Sequence, residues 1–131
     1  MRRVPPGTTG SYSAIVQPEH LANRFKDAIL PPVLATPVML LFMENAALNA
    51  LRPYLEPGES VVGTAVNIRH LAATPGGQRV FADATVTRVE GRLIEFEIRA
   101  RDEFQEIGTG THERMLVDIE RFERRLAATH T

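Results

Sequence analysis

Thr36-Pro37-Val38-Met39-Leu40-Leu41-Phe42-Met43-Glu44-Asn45-Ala46-Ala47-Leu48-Asn49-Ala50-Leu51 is the stretch that decides the fold. It reads as a helix. Thr36 is a favourable N-cap residue, and Pro37 suits the first helical position. From Val38 to Leu51 there is no glycine or proline, and Pro53 stops the run near Arg52. Its polar members are Glu44, Asn45, Asn49 and Arg52, and the other positions are apolar on every face. A helix apolar all round is buried all round. In a small domain the rest of the chain must therefore wrap it.

The flanking sequence supplies the wrapper. Gly10 to Val16 reads as a short strand after a flexible lead, residues 1–9. Pro18 to Pro32 is an irregular or short-helical passage closed by Pro31-Pro32. Downstream, Val61 to His70 alternates, with Val62, Thr64, Val66, Ile68 and His70 on one face. Arg79 to Val89 turns Val80, Ala82, Ala84 and Val86 inward. Leu93 to Arg101 turns Ile94, Phe96, Ile98 and Ala100 inward, with Glu95, Glu97, Arg99 and Arg101 outward. Ile107 to Ile119 is a last long strand, expected to bend at Gly108 and Gly110. Short turns at Thr74-Pro75-Gly76-Gly77, Glu90-Gly91 and Asp102-Glu103 imply antiparallel neighbours. Arg121 to Ala128 reads either as a short terminal helix or as a frayed end. The expected fold is α+β, a curved antiparallel sheet wrapped around one central helix, which is the hotdog fold. The nearest competitor, a four-stranded sheet with the helix lying on one face, would expose half of that helix.

Composition narrows the function. The 131 residues fit a single domain, residues 1–131, and 44% hydrophobic residues suffice for one core. A formal charge of -1 offers no basic field for nucleic acid. With no cysteine, thiolate metal sites, iron–sulfur clusters and a cysteine nucleophile are excluded, and the expected compartment is the cytoplasm. The longest apolar run, Pro37 to Met43, is too short to span a bilayer.

Three residues carry candidate chemistry. Glu44 sits among Leu40, Leu41, Ala47 and Leu48 on an apolar helix stripe. A carboxylate there is costly to leave unpaired. It reads as a general base, or as a structural acceptor for buried backbone groups. His70 ends a strand on its core-facing side, where it is either structural or a proton carrier. Thr36 caps the helix in the simple reading. In the functional one its hydroxyl is a nucleophile at the positive end of the helix. Eight residues separate Thr36 from Glu44, roughly 12 Å along the axis. They cannot touch within one straight helix, so substrate lies between them or two chains share the site. The spacing of His20, His112 and His130 matches no metal motif.

Several segments together resemble one family: Pro53-Tyr54-Leu55-Glu56-Pro57-Gly58-Glu59, Gly63-Thr64-Ala65, His70 with Ala72-Ala73-Thr74-Pro75, Val89-Glu90-Gly91-Arg92, and Glu106-Ile107-Gly108-Thr109-Gly110-Thr111-His112-Glu113-Arg114. This set is similar to the fluoroacetyl-CoA thioesterase branch of the hotdog thioesterases. The resemblance implies hydrolysis of a short or medium acyl-CoA by a homodimer with sites at the subunit interface. It implies no cofactor, no metal, and no nucleic-acid or membrane partner. It implies Thr36, Glu44 and His70 as catalytic residues, and Gly63 and Arg114 as substrate contacts. Two positions depart from the pattern. Ile29 to Leu34 lacks the family's aromatic gate, and Pro37 replaces a glycine. Without an N–H at Pro37, oxyanion contacts are expected from Val38, Met39 or Gly63. Two other classes fit the same architecture. One is a non-catalytic acyl-CoA binder in which Thr36 only caps. The other is a hydratase, whose histidine-bearing helix motif is absent.

Overall fold

The computed structural model describes residues 1–131. In chain order it contains β1 (Thr9–Ile15), α1 (Ala22–Phe25), α2 (Thr36–Leu51), β2 (Glu59–His70), β3 (Arg79–Glu90), β4 (Leu93–Arg101), β5 (Glu106–Asp118) and α3 (Ile119–Thr129). The five strands form one antiparallel sheet in the order β1-β3-β4-β5-β2. It curls around α2, and no helix is long and apolar enough to cross a membrane.

Alternation places β3 and β4 as expected. Val80, Ala82, Ala84 and Val86 are buried, as are Ile94, Phe96, Ile98 and Ala100. These meet Val38, Met39, Phe42, Met43, Ala46, Ala47, Ala50 and Leu51 of α2 in one core. Burying a large apolar side chain contributes about 1.5–3 kcal/mol, which makes this layer the main stabilising term. The small residues allow close approach. A Cβ on Gly10 of β1 would stand 2.3 Å from both the Ala46 carbonyl oxygen and the Ala50 nitrogen. Asn49 locks the same crossing, its Nδ2 donating to the Ser11 carbonyl at 2.9 Å.

Several expectations are refined. The lead before β1 is mostly exposed but anchored: Val4 is buried and the Gly7 N–H donates to the Val86 carbonyl. The helix is not covered all round in one chain. Pro37 and Leu41 are exposed, and Leu40, Glu44 and Leu48 are only half-buried. Strand β2 carries a register shift between Gly63 and Ala65. This bulge puts Val61 and Gly63 on the inner face instead of Val62 and Thr64, while Ile68 stays packed against the core. The ladder between β4 and β5 shifts register between Glu106 and Gly108, leaving Ile107 as the extra residue beside the expected bend at Gly108, while neither ladder shifts at Gly110. Those glycines serve clearance: a Cβ on Gly108 would meet Met39 Sδ at 2.6 Å, and one on Gly110 the Asn67 carbonyl at 2.1 Å.

Strand β2 is an outer strand of 12 residues, and Gly63 to Asn67 along it are exposed. At the other end of the sheet, Asp102 is buried in the β4–β5 connection. It accepts hydrogen bonds from Thr74 Oγ1 at 3.0 Å, from the Phe104 N–H at 2.8 Å and from the Gln105 N–H at 3.0 Å. The Thr74 carbonyl in turn accepts from the Leu34 N–H at 2.8 Å. One carboxylate therefore ties the hairpin connection, the segment after β2 and the approach to α2 together.

Candidate active site

The expected residues fall into two groups. The first is Thr36 with His70. Helix α2 begins with Ala35, not Thr36, in the capping position, and no side chain caps it. The capping expectation therefore fails. Thr36 lies inside the first turn, and its hydroxyl pairs with His70 Nδ1 at 2.8 Å. If the hydroxyl donates, Nδ1 is bare and the ring proton sits on Nε2. Nε2 is buried and has no partner in hydrogen-bonding geometry. Burial holds the His70 imidazole below its usual 6.5, with the backbone of Ala72 opposing. A neutral ring accepting from a hydroxyl is the arrangement of a base beside its nucleophile.

An open cleft of about 490 Å³ reaches this pair, bordered by Leu30, Pro31, Pro37 and Leu71. Lys26 stands on its wall. The Val38 and Met39 N–H groups both donate to the Ala35 carbonyl at 3.0 Å. They are spent on the helix start, so neither is a free oxyanion donor.

The second group is Glu44 with Gly63 and Arg114. Arg114 Nη2 lies 3.6 Å from Glu44 Oε2 and donates to the Glu44 carbonyl at 3.4 Å. Glu44 is neither unpaired nor fully buried, since its side chain keeps 32% exposure while that of Arg114 keeps 11%. Burial lowers the Arg114 pKa and Glu44 opposes that shift. The inner face of the bulge brings Gly63 against this pair. A Cβ there would sit 3.4 Å from Glu44 Oε2 and 3.5 Å from His112 Cε1, an ordinary fit. The fold itself does not demand glycine at this position.

His112 is the member that the sequence reading left out. It is 2% exposed and stacks on Phe96 with ring centroids 5.9 Å apart. Its Nδ1 pairs with the Ala65 carbonyl at 2.9 Å. Burial first, and then Arg114, lower its pKa. The signal was alternation along β5: His112 shares a face with Gly108, Gly110 and Arg114. No cluster of His, Asp and Glu is arranged to hold a metal ion.

Known proteins share this arrangement of elements. Residues 16–120 match the family profile described as fluoroacetyl-CoA-specific thioesterase. The fluoroacetyl-CoA thioesterase of Streptantibioticus cattleyicolor is 42% identical over 119 residues, covering 91% of this chain and 81% of that protein. A solved structure of the fluoroacetyl-CoA thioesterase FlK superposes with a TM-score of 0.92 at 35% identity, covering 98% of this chain and 99% of that one. A Thermus thermophilus thioesterase superfamily member superposes with a TM-score of 0.90 at 33% identity, covering 98% and 97%.

Proposed function

The chain belongs to the fluoroacetyl-CoA-specific thioesterase family, and from that premise we propose that it hydrolyses a short or medium acyl-CoA at a site shared between two copies of itself. It is a thioester hydrolase, and the observation that carries the residue assignment is the Thr36–His70 pair. In this reading Thr36 Oγ1 attacks the thioester carbonyl while His70 Nδ1 takes its proton. The imidazolium returns that proton to the departing CoA thiolate. Water then cleaves the acyl ester, with Glu44 accepting the water's proton and Arg114 holding Glu44 in place. Gly63 approaches the acyl group because it has no side chain to block it.

Sharing between two chains is supported by three features. Thr36 and Glu44 lie two helical turns apart, roughly 12 Å along one axis. The face of α2 bearing Leu40, Leu41, Glu44 and Leu48 is incompletely covered. Strand β2 presents an outer edge that a second copy can pair with. A two-fold dimer would bring one chain's Thr36–His70 pair towards the other's Glu44.

The binder alternative required Thr36 to be only a helix cap, and Ala35 occupies that position. The test is thiol release from a panel of acyl-CoAs, including acetyl-CoA and fluoroacetyl-CoA, by wild type, Thr36→Ala, Glu44→Gln and His70→Ala. Each variant is expected to lose at least about tenfold in kcat. Wild-type rates in all three would remove the assignment.

A further inference from the structure

The cleft that reaches Thr36 and His70 carries one charged side chain, Lys26. Apart from these three residues its lining is alanine, leucine, valine and proline. Burial favours the neutral form of His70, so the lysine supplies the one full charge beside the reacting pair. Its direction follows from α1. Ala22 and Lys26 stand four residues apart and both line the cleft, while Asn23, Arg24 and Phe25 between them do not. The Lys26 N–H donates to the Ala22 carbonyl at 3.0 Å, and the Ala22 N–H donates to the Val33 carbonyl at 2.7 Å. That face of α1 is therefore tied to the approach to α2. The ammonium forms no ion pair. The neighbouring carboxylate of Asp27 is engaged elsewhere, accepting from the Ile29 N–H at 3.0 Å. Exposed lysines are ordinary on a surface, but this one stands where the acyl group must lie.

We propose that Lys26 determines specificity by binding a carboxylate at the far end of the acyl group, so that the substrate class is a short acyl-CoA ending in a carboxylate. The proposal rests on the thioesterase reading and narrows it. Size selects the anion. A space of about 490 Å³ is comparable to a sphere roughly 10 Å across. Two or three methylenes set a carboxylate about 4–6 Å from the thioester carbonyl, which fits inside that span together with a lysine side chain. CoA carries anions of its own. Its extended pantetheine arm, however, holds the first phosphate roughly 15 Å from the sulfur, beyond that span. The aliphatic lining packs the methylenes, and the ammonium donates to the carboxylate in a charge-assisted contact. The hydrolytic steps are unchanged, and the products are a dicarboxylic acid and CoA.

The experiment measures thiol release from succinyl-CoA, glutaryl-CoA and butyryl-CoA by wild type, Lys26→Met and Lys26→Arg, with the uncatalysed rate subtracted. Wild type is expected to favour the better of the two carboxylate esters over butyryl-CoA by at least about tenfold in kcat/KM, the size of one hydrogen bond to a charged group. Lys26→Met is expected to bring that ratio to within about twofold of one, and Lys26→Arg to keep most of it. A wild type with no preference for the carboxylate esters overturns the proposal and leaves the thioesterase reading intact. So does a Lys26→Met variant that keeps the preference, or one that falls equally on all three esters. In that last case acetyl-pantetheine, which lacks every CoA phosphate, identifies the source. A loss seen with acetyl-CoA but not with acetyl-pantetheine puts Lys26 on a CoA phosphate instead. Lys26 is exposed, so melting midpoints near that of wild type are expected. Should Lys26→Met not fold, Lys26→Gln is judged by the same ratio. A wild-type protein that releases no thiol from any ester, butyryl-CoA included, removes the thioesterase reading and this proposal together.

Discussion

Thr36 Oγ1 and His70 Nδ1 stand 2.8 Å apart although 34 positions separate them in the chain. One comes from the first turn of α2 and the other from the last residue of β2. Thr36→Val removes the hydroxyl and nearly preserves the shape. Because that hydroxyl does not cap the helix, the cost of about 1 kcal/mol for losing a cap should not appear. Activity should still fall at least about tenfold, while Thr36→Ser keeps the contact and most of the rate. Thermal melting beside a thiol-release assay separates the two effects. A large drop in midpoint with unchanged kcat would return Thr36 to a structural role.

The acid limb of the rate profile follows from the same contact. His70 must be neutral to accept from Thr36, and burial lowers its pKa from 6.5. The rate should therefore hold at pH 7 and fall only through a midpoint below 6.5. Stability moves in the same direction. His112 is also lowered from 6.5. In acid the unfolded chain takes up protons at both histidines before the folded chain does. Stability is thus lost as pH drops below about 6.5, and the loss levels off below the folded values. Melting midpoints at a series of pH values test this, and a midpoint that rises on acidification through that window would contradict it.

Leu41 lies 48% exposed on the open side of α2. If a second copy covers that side, Leu41→Arg places a charge in an apolar interface. Sedimentation should then show monomers, with kcat/KM falling at least about tenfold because the shared site is no longer assembled. A variant that stays dimeric and fully active would point to a different interface.

Gly10→Ala tests the crossing of β1 over α2. The added methyl would meet helix backbone at 2.3 Å, which no side-chain rotation relieves. A loss of about 3 kcal/mol is expected, read from denaturant midpoints. A variant as stable as wild type would mean that the strand can lift from the helix without cost.

Much of this was legible in the sequence, and the exceptions have physical causes. In β4, and in β3 as far as Val86, the inward apolar residues alternate, so phase and burial follow directly; the register shift in β3 comes only after Val86. In β2 the apolar series Val62, Val66, Ile68 hides an inserted residue. A bulge changes phase without changing composition, so Val61 and Gly63 were assigned to the wrong face. The helix reads as apolar all round, yet in the single chain Pro37 and Leu41 are exposed, because composition does not say which apolar face the chain's own sheet covers. Thr36 before Pro37 carries the residue types of a cap, and only the His70 contact reveals where the hydroxyl goes. His112 was hidden for a related reason. Its significance depends on Gly63 and Glu44, which reach it from two other elements.

The carboxylate of Asp102 has a consequence for how this protein can be altered. The connection between β4 and β5 is a short polar turn with Phe104 exposed at its tip, the kind of place where grafts and insertions are usually made. Yet its buried aspartate grips Thr74, and through Thr74 it steadies the approach to Thr36 as well as the segment that follows His70. A loop exchange there would travel to the Thr36–His70 pair without touching either residue. The part of the chain that looks most replaceable works as a remote adjusting screw for the site.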